Sequence, residues 1–170
     1  MDFFAHIAWS VIVYGKFLPL NELVQTTFFS ILPDLLWGVP LFSYVIYRNL
    51  RGRKIAFTHE RKEYLNKFGR IYNYSHSAVT MLVVFAALSL ITFSFYYPAI
   101  LGWLLHIVID MFVHKESYFE QKPFYPLSNL RVRGFFLHLN KKFVIINWAI
   151  IIILMTILYL NTTLPLGGGC

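Results

Sequence analysis

The stretch GWLLHIVIDMFVHKE, residues 102–116, decides how this chain is read. Its apolar content suits a membrane helix, yet His106, Asp110 and His114 recur at intervals of four. On a helix, residues four apart are separated by about 40° and about 6 Å, so His106 and Asp110 can grip one cation. His114 lies about 12 Å along the axis from His106 and is expected to serve a second ion or to support the ligands from outside. HxxxD alone arises easily by chance. HxxxDxxxH inside an apolar helix is harder to dismiss, because a membrane interior selects against each of those residues.

The rest of the chain agrees with a membrane setting. Of its 170 residues 58% are hydrophobic and 19% aromatic, and the mean hydropathy is +0.59, above what an ordinary soluble domain carries. Apolar runs near Phe3 to Leu18, Leu23 to Tyr47, Ser77 to Tyr96, Pro98 to Val113 and Phe143 to Leu160 are long enough to cross, or nearly cross, about 30 Å of hydrocarbon. The expected fold class is therefore all-α: one polytopic membrane bundle of about five transmembrane helices over residues 1–162, with a flexible tail at 163–170. Pro33, then Gly38 and Pro40, predict that the second run breaks into a short helix and a further piece. The first segment has no basic n-region or small-residue cleavage site and is expected to stay in the mature protein. The single cysteine, Cys170, allows no internal disulfide.

The formal charge of +7 is strongly segregated. Eight basic residues fall between Arg48 and Arg70, six between Lys115 and Lys142, and Lys16 stands alone. Basic loops at 48–70 and 115–142 belong on the cytoplasmic side, which sets the N-terminus inside and the C-terminus outside. The first loop is of mixed charge and can hold an interfacial helix. Both loops suit anionic membrane lipids. Nucleic acid is not expected, since no folded reading surface is visible. Nothing in the sequence specifies the oligomeric state.

Asp34 and Asp110 are the two carboxylates inside the apolar runs, and a membrane-buried charge costs at least a few kcal/mol unless paired or coordinated. A turn centred near Leu20 leaves His6 and Asp34 equidistant from it, so an antiparallel hairpin brings them to the same depth. In YNYSHSAVT, residues 72–80, His76 opens the third helix, with Ser75 or Ser77 as its cap. The fourth helix descends to that side, ending near Asp110 and His114. Imidazole with carboxylate is the ligand chemistry of zinc and related divalent ions, and an ion that keeps a water makes it a nucleophile near neutral pH. The expected metal shell is His6, Asp34, His76, His106 and Asp110, with His114 beside it, holding one or two Zn2+-type ions near the cytoplasmic face. Asp34 and Asp110 are the candidate catalytic groups, bridging ions or orienting water. The depth and the basic loops point to a phosphoester of a lipid or lipid-linked substrate, with Arg131, Arg133 or Lys122 to neutralise its phosphate. His59 and His138 read as surface residues, and Ser75 and Ser77 define no acyl-transfer geometry.

These motifs resemble a family of small inner-membrane proteins, the LexA-binding, membrane-bound metal-dependent hydrolases. The likeness spans nearly the whole chain: the early histidine in FFAHIAWS, the LPD in ILPDLLWG, the serine-flanked histidine in YSHS, the GxLxHxxxD helix in GWLLHIVID, and the proline-containing KPFYPLSNLRVRG. More distantly, the order His, Asp, His, HxxxD is similar to helical zinc phospholipases C and related nucleases that cleave phosphodiesters. The resemblance implies His6, Asp34, His76, His106 and Asp110 as the metal shell, with His114 matching a subgroup, and hydrolysis as the activity. Where the family pattern has RGxTHS, this chain has YNYSHS. The alternative is a non-catalytic metal-binding or ion-handling membrane protein. The outer halves of the helices, such as LSLITFSFYY, carry no ionisable acid or base for a transport path.

Overall fold

The described residues form six helices and no strand, five of the helices predominantly apolar and one, residues 61–75, polar. The computed structural model describes residues 2–52, 61–113, 121–135 and 140–163. The helices are α1 (Phe3–Tyr14), α2 (Leu20–Leu50), α3 (Arg61–Ser75), α4 (Ala78–Thr92), α5 (Tyr97–Val113) and α6 (Lys141–Thr163). Asp2 caps α1 by accepting from the Ala5 N–H at 2.9 Å, and Ser77 caps α4 by accepting from Val79 and Thr80.

The expected break in the second run does not occur. Helix α2 continues for 31 residues through both Pro33 and Pro40. Each proline removes one N–H, so Pro33 cannot serve the Phe29 carbonyl and Pro40 cannot serve that of Leu36, but the rest of the ladder survives. Packing against α1, α3 and α5 holds the helix together. The break falls instead between α3 and α4, which meet at 67° across Ser75 to Ala78. The helix beyond the expected five is α3, which occupies the end of the first basic segment and stops at Ser75, next to His76.

Helix α5 is the central element. Its buried residues, Pro98, Ala99, Gly102, Trp103, His106, Ile107, Asp110 and Val113, form one continuous stripe at helical spacing. The upper part of the stripe packs with Met81 and Phe85 of α4, where Trp103 meets Phe85 edge to face at 5.9 Å. The lower part carries the polar residues. Against its flank α2 presents small side chains, Thr26 and Ser30, both fully buried. A Cβ at Gly102 would stand 2.0 Å from the Thr26 carbonyl oxygen, so only glycine permits this approach of α2 and α5.

Two helices, Leu20–Leu50 and Lys141–Asn161, are long and apolar enough to cross a membrane, and the bent α3–α4 pair makes a third if it counts as one span. At 12 and 17 residues, α1 and α5 are apolar but shorter. Outward faces are greasy rather than polar: Ile145, Ile146, Ile152 and Ile153 on α6, and Leu82, Val83, Leu90 and Ile91 on α4, are exposed. Apolar surface of this extent is compatible with insertion among lipid chains. Helix α6 joins the bundle through α1, where Trp9 Nε1 donates to Asn147 Oδ1 at 3.1 Å and Trp148 Nε1 donates to Asp2 Oδ2 at 3.2 Å.

Candidate metal centre

Four helix-borne segments deliver polar side chains to one end of the bundle. His6 lies in the first turns of α1, Asp34 midway along α2, His76 in the elbow between α3 and α4, and His106 and Asp110 in the last turns of α5. The antiparallel hairpin places His6 and Asp34 as the spacing about Leu20 requires, with His6 Nε2 at 4.0 Å from Asp34 Oδ2. The i, i+4 pair on α5 closes as expected, His106 Nε2 lying 3.4 Å from Asp110 Oδ2.

The remaining distances complete a cluster. Asp110 Oδ1 is 3.3 Å from His6 Nε2, and Asp110 Oδ2 is 3.7 Å from His76 Nε2. Asp34 Oδ1 is 3.4 Å from His76 Nε2 and 3.8 Å from His106 Nε2. Ligand atoms of Asp34, His76, His106 and Asp110 all lie within 4.8 Å of one another, so these four can hold a metal ion. Donors at about 2.1 Å around a tetrahedral ion are about 3.4 Å apart, close to the shorter of these separations. His6 adjoins the four by its 3.3 Å approach to Asp110 and by stacking on the His106 ring, with centroids 4.0 Å apart.

Burial sharpens the chemistry. His6, His76, His106 and Asp110 are essentially inaccessible, whereas the Asp34 side chain keeps 21% of its surface exposed. The cluster therefore opens on the Asp34 side. The buried Nε2 atoms of His6, His76 and His106 make no hydrogen bond among the described residues. Desolvated ring nitrogens left in that state are unfavourable by a few kcal/mol in total unless something else is bound to them.

The opposite nitrogens are anchored. His106 Nδ1 donates to the Ser30 carbonyl at 2.7 Å, and His76 Nδ1 faces the Tyr72 carbonyl at 3.1 Å and Ser75 Oγ at 2.9 Å. A carbonyl can only accept, so each Nδ1 carries a proton, and in the neutral imidazole each Nε2 then presents its lone pair to the cluster. Ser30 itself donates to the Thr27 carbonyl at 2.7 Å, and its hydroxyl lies 3.4 Å from the His6 carbonyl.

Tyr72 and Gln121 are the two neighbours that sequence reasoning missed. The Tyr72 ring stacks on His76 at 3.9 Å and its hydroxyl accepts from Gln121 Nε2. Gln121 is fully buried and its Nε2 also lies 3.4 Å from Asp110 Oδ2. The segment 121–135 brings it there by folding back on the helix ends. Val132 N–H donates to the Gln121 carbonyl at 2.9 Å, Ala78 N–H to Pro123 at 2.8 Å, and Phe135 N–H to Phe112 at 2.8 Å. Ser77 Oγ, besides capping α4, donates to the carbonyls of Tyr125 and Pro123. Of the expected caps Ser77 takes the role, while Ser75 holds His76.

Arg131 and Arg133 flank Val132 and are exposed on this folded-back segment; Lys122, next to Gln121, is partly buried. None of them belongs to the four-residue ligand set. His114, His59 and His138 lie outside the described residues. Asp34 is further held by Trp37, whose Nε1 donates to Oδ1 at 3.3 Å. Compared with protein-family models, with curated proteins and with solved structures, the chain gives no match.

Proposed function

We propose that this protein is a metal-dependent hydrolase embedded in the cytoplasmic membrane, acting on a phosphoester of a lipid or lipid-linked molecule. The observation that carries the reading is the meeting of three buried histidine Nε2 atoms, without hydrogen bonds among the described residues, with two carboxylates. The donor set suits zinc or a similar divalent ion, which when bound supplies Lewis acidity and lowers the pKa of water. His76, His106, Asp34 and Asp110 would hold it, with His6 alongside. The likeness of FFAHIAWS, ILPD, YSHS and GWLLHIVID to motifs of membrane-bound metal-dependent hydrolases supports the same reading.

Division of labour among the residues follows from exposure. Asp110, buried and contacted by His6, His106 and Gln121, is a structural anchor. Asp34 stands at the opening, where it would both hold the ion and orient an attacking water. Burial of everything behind it keeps bulk water out, which strengthens each electrostatic contact. Arg131 and Arg133, exposed beside the Gln121 bridge, are the candidates for meeting substrate phosphate.

In the membrane the positive-inside rule sets the basic segments, and with them the centre, toward the cytoplasm. Asp34 is fourteen residues from the start of α2, about 21 Å along its axis, which leaves it under about 10 Å inside the cytoplasmic edge of the hydrocarbon. That depth suits the ester linkage of a lipid headgroup. Five passes, with α1 and α5 inserted as short helices beside the three longer spans, give an inside N-terminus and an outside C-terminus.

The test is metal analysis joined to a substrate screen on protein purified in detergent. Stoichiometric divalent metal, with phosphodiester or phospholipid hydrolysis that disappears when the metal is stripped and returns when it is restored, is the expected outcome. Bound metal with no hydrolysis of any ester tried would favour a non-catalytic metal-binding protein, and absence of bound metal would refute both.

A further inference from the structure

We infer that the cluster is built for two divalent ions, with His6 as the terminal ligand of the second. This rests on the metal-binding reading above and concerns how many ions it takes. An imidazole binds a metal in its own ring plane, along the nitrogen lone pair, with the ion about 2.1 Å beyond the nitrogen and so about 3 Å from the ring centre. The rings of His6 and His106 are stacked, centroids 4.0 Å apart and planes inclined by 22°. Face-to-face planes so nearly parallel meet about 9–10 Å from the ring centres, well beyond the about 3 Å at which an ion sits, so the two histidines do not address one ion in plane. His76 and His106 differ: their centroids are 4.9 Å apart and their planes cross at 62°. Those planes meet within about 5 Å of the ring centres, far nearer to where a shared ion would sit.

The carboxylates divide along the same line. Asp110 turns Oδ1 to His6 at 3.3 Å, and Oδ2 to His106 at 3.4 Å and His76 at 3.7 Å. Asp34 turns Oδ2 to His6 at 4.0 Å, and Oδ1 to His76 at 3.4 Å and His106 at 3.8 Å. Two carboxylates that each split their oxygens between two sets of histidines are bridging ligands, of the kind that hold ion pairs about 3.5–4 Å apart. One position has four protein donors and is closed: His76, His106, Asp34 Oδ1 and Asp110 Oδ2. The other has three, His6, Asp110 Oδ1 and Asp34 Oδ2, and includes the exposed carboxylate, so it keeps a place for water or a substrate oxygen. His6 is fully buried, and its Nε2, the nitrogen that faces both carboxylates, has no hydrogen bond among the described residues, as a ligand without its ion would have none; its Nδ1 is also without one.

The experiment is titration of the full chain, stripped of metal in detergent, with Co2+ alone, reading d–d absorption and metal retained after desalting. Two equivalents are expected in wild type, and one in His6→Gln with the first step unchanged. Saturation of wild type at one equivalent, or two equivalents in His6→Gln, would overturn the second site while leaving metal binding intact; no bound Co2+ would overturn metal binding itself. The wild-type protein also decides without a variant. Magnetic coupling between the ions in the fully loaded sample supports the bridged pair, and the spectrum of isolated high-spin Co2+ contradicts it.

Discussion

His106 is fixed from both sides: Nδ1 on the Ser30 carbonyl at 2.7 Å, Nε2 against Asp110 and Asp34. Its place beside Asp110 could be read from the sequence because HxxxD on a helix determines its own geometry, and the proximity of His6 to Asp34 could be read because a hairpin turn determines register. Gln121 could not. It sits in a polar segment without periodicity, and it reaches Asp110 only because the chain reverses after α5, which no local pattern encodes. The turn-forming KPFYP that follows was the one available signal. Gln121 steadies Asp110 and Tyr72, and outer partners of this kind are worth 10–100-fold in metal affinity. Gln121→Ala is therefore expected to weaken metal binding by about that factor without abolishing it, as measured by competition with a chromophoric chelator. Acidification should also release the metal. Ligand histidines must be neutral to bind, so metal retained after desalting should fall as pH drops through the range where imidazole takes up a proton.

At the scale of elements, the junction of α2 with α5 carries the site. Gly102 lies one turn before His106, and its Cα faces the Thr26 carbonyl, one turn before Ser30. Gly102→Ala would drive the helices apart, costing at least about 1–3 kcal/mol, and would lengthen the His106 to Ser30 hydrogen bond. A lower melting temperature in detergent together with lost metal is the expected outcome; a melting temperature equal to wild type would show that the helices do not approach so closely. The elbow before α4 is the second dependence. Ser77→Ala removes both a helix cap and the tie to residues 121–135, with an expected loss of about 1 kcal/mol or somewhat more in thermal or denaturant unfolding. The sequence announced this cap. It misled at Pro33 and Pro40, where proline was read as a break, because local propensity does not see how neighbouring helices hold the long helix together.

For the whole molecule, the hydropathy pattern made the all-helical class legible, while the number of crossings depends on where short helices sit in the bilayer. Topology is testable by single-cysteine labelling in a Cys170→Ser background. Ser94→Cys, in the exposed turn between α4 and α5, is expected to react with a membrane-impermeant maleimide from outside intact spheroplasts. Ser128→Cys, on the segment covering the site, is expected to react only after permeabilisation. The opposite pattern would invert the protein and turn the histidine and carboxylate cluster away from the cytoplasm. The reading as a whole stands on the buried histidine and carboxylate cluster. Its most direct measurement is the divalent metal content of wild type and Asp110→Asn, purified together in detergent and passed over a desalting column. Stoichiometric metal in wild type and its loss from a variant that stays folded and monodisperse is the predicted result; metal-free wild type after exposure to zinc, or undiminished metal in Asp110→Asn, would contradict it.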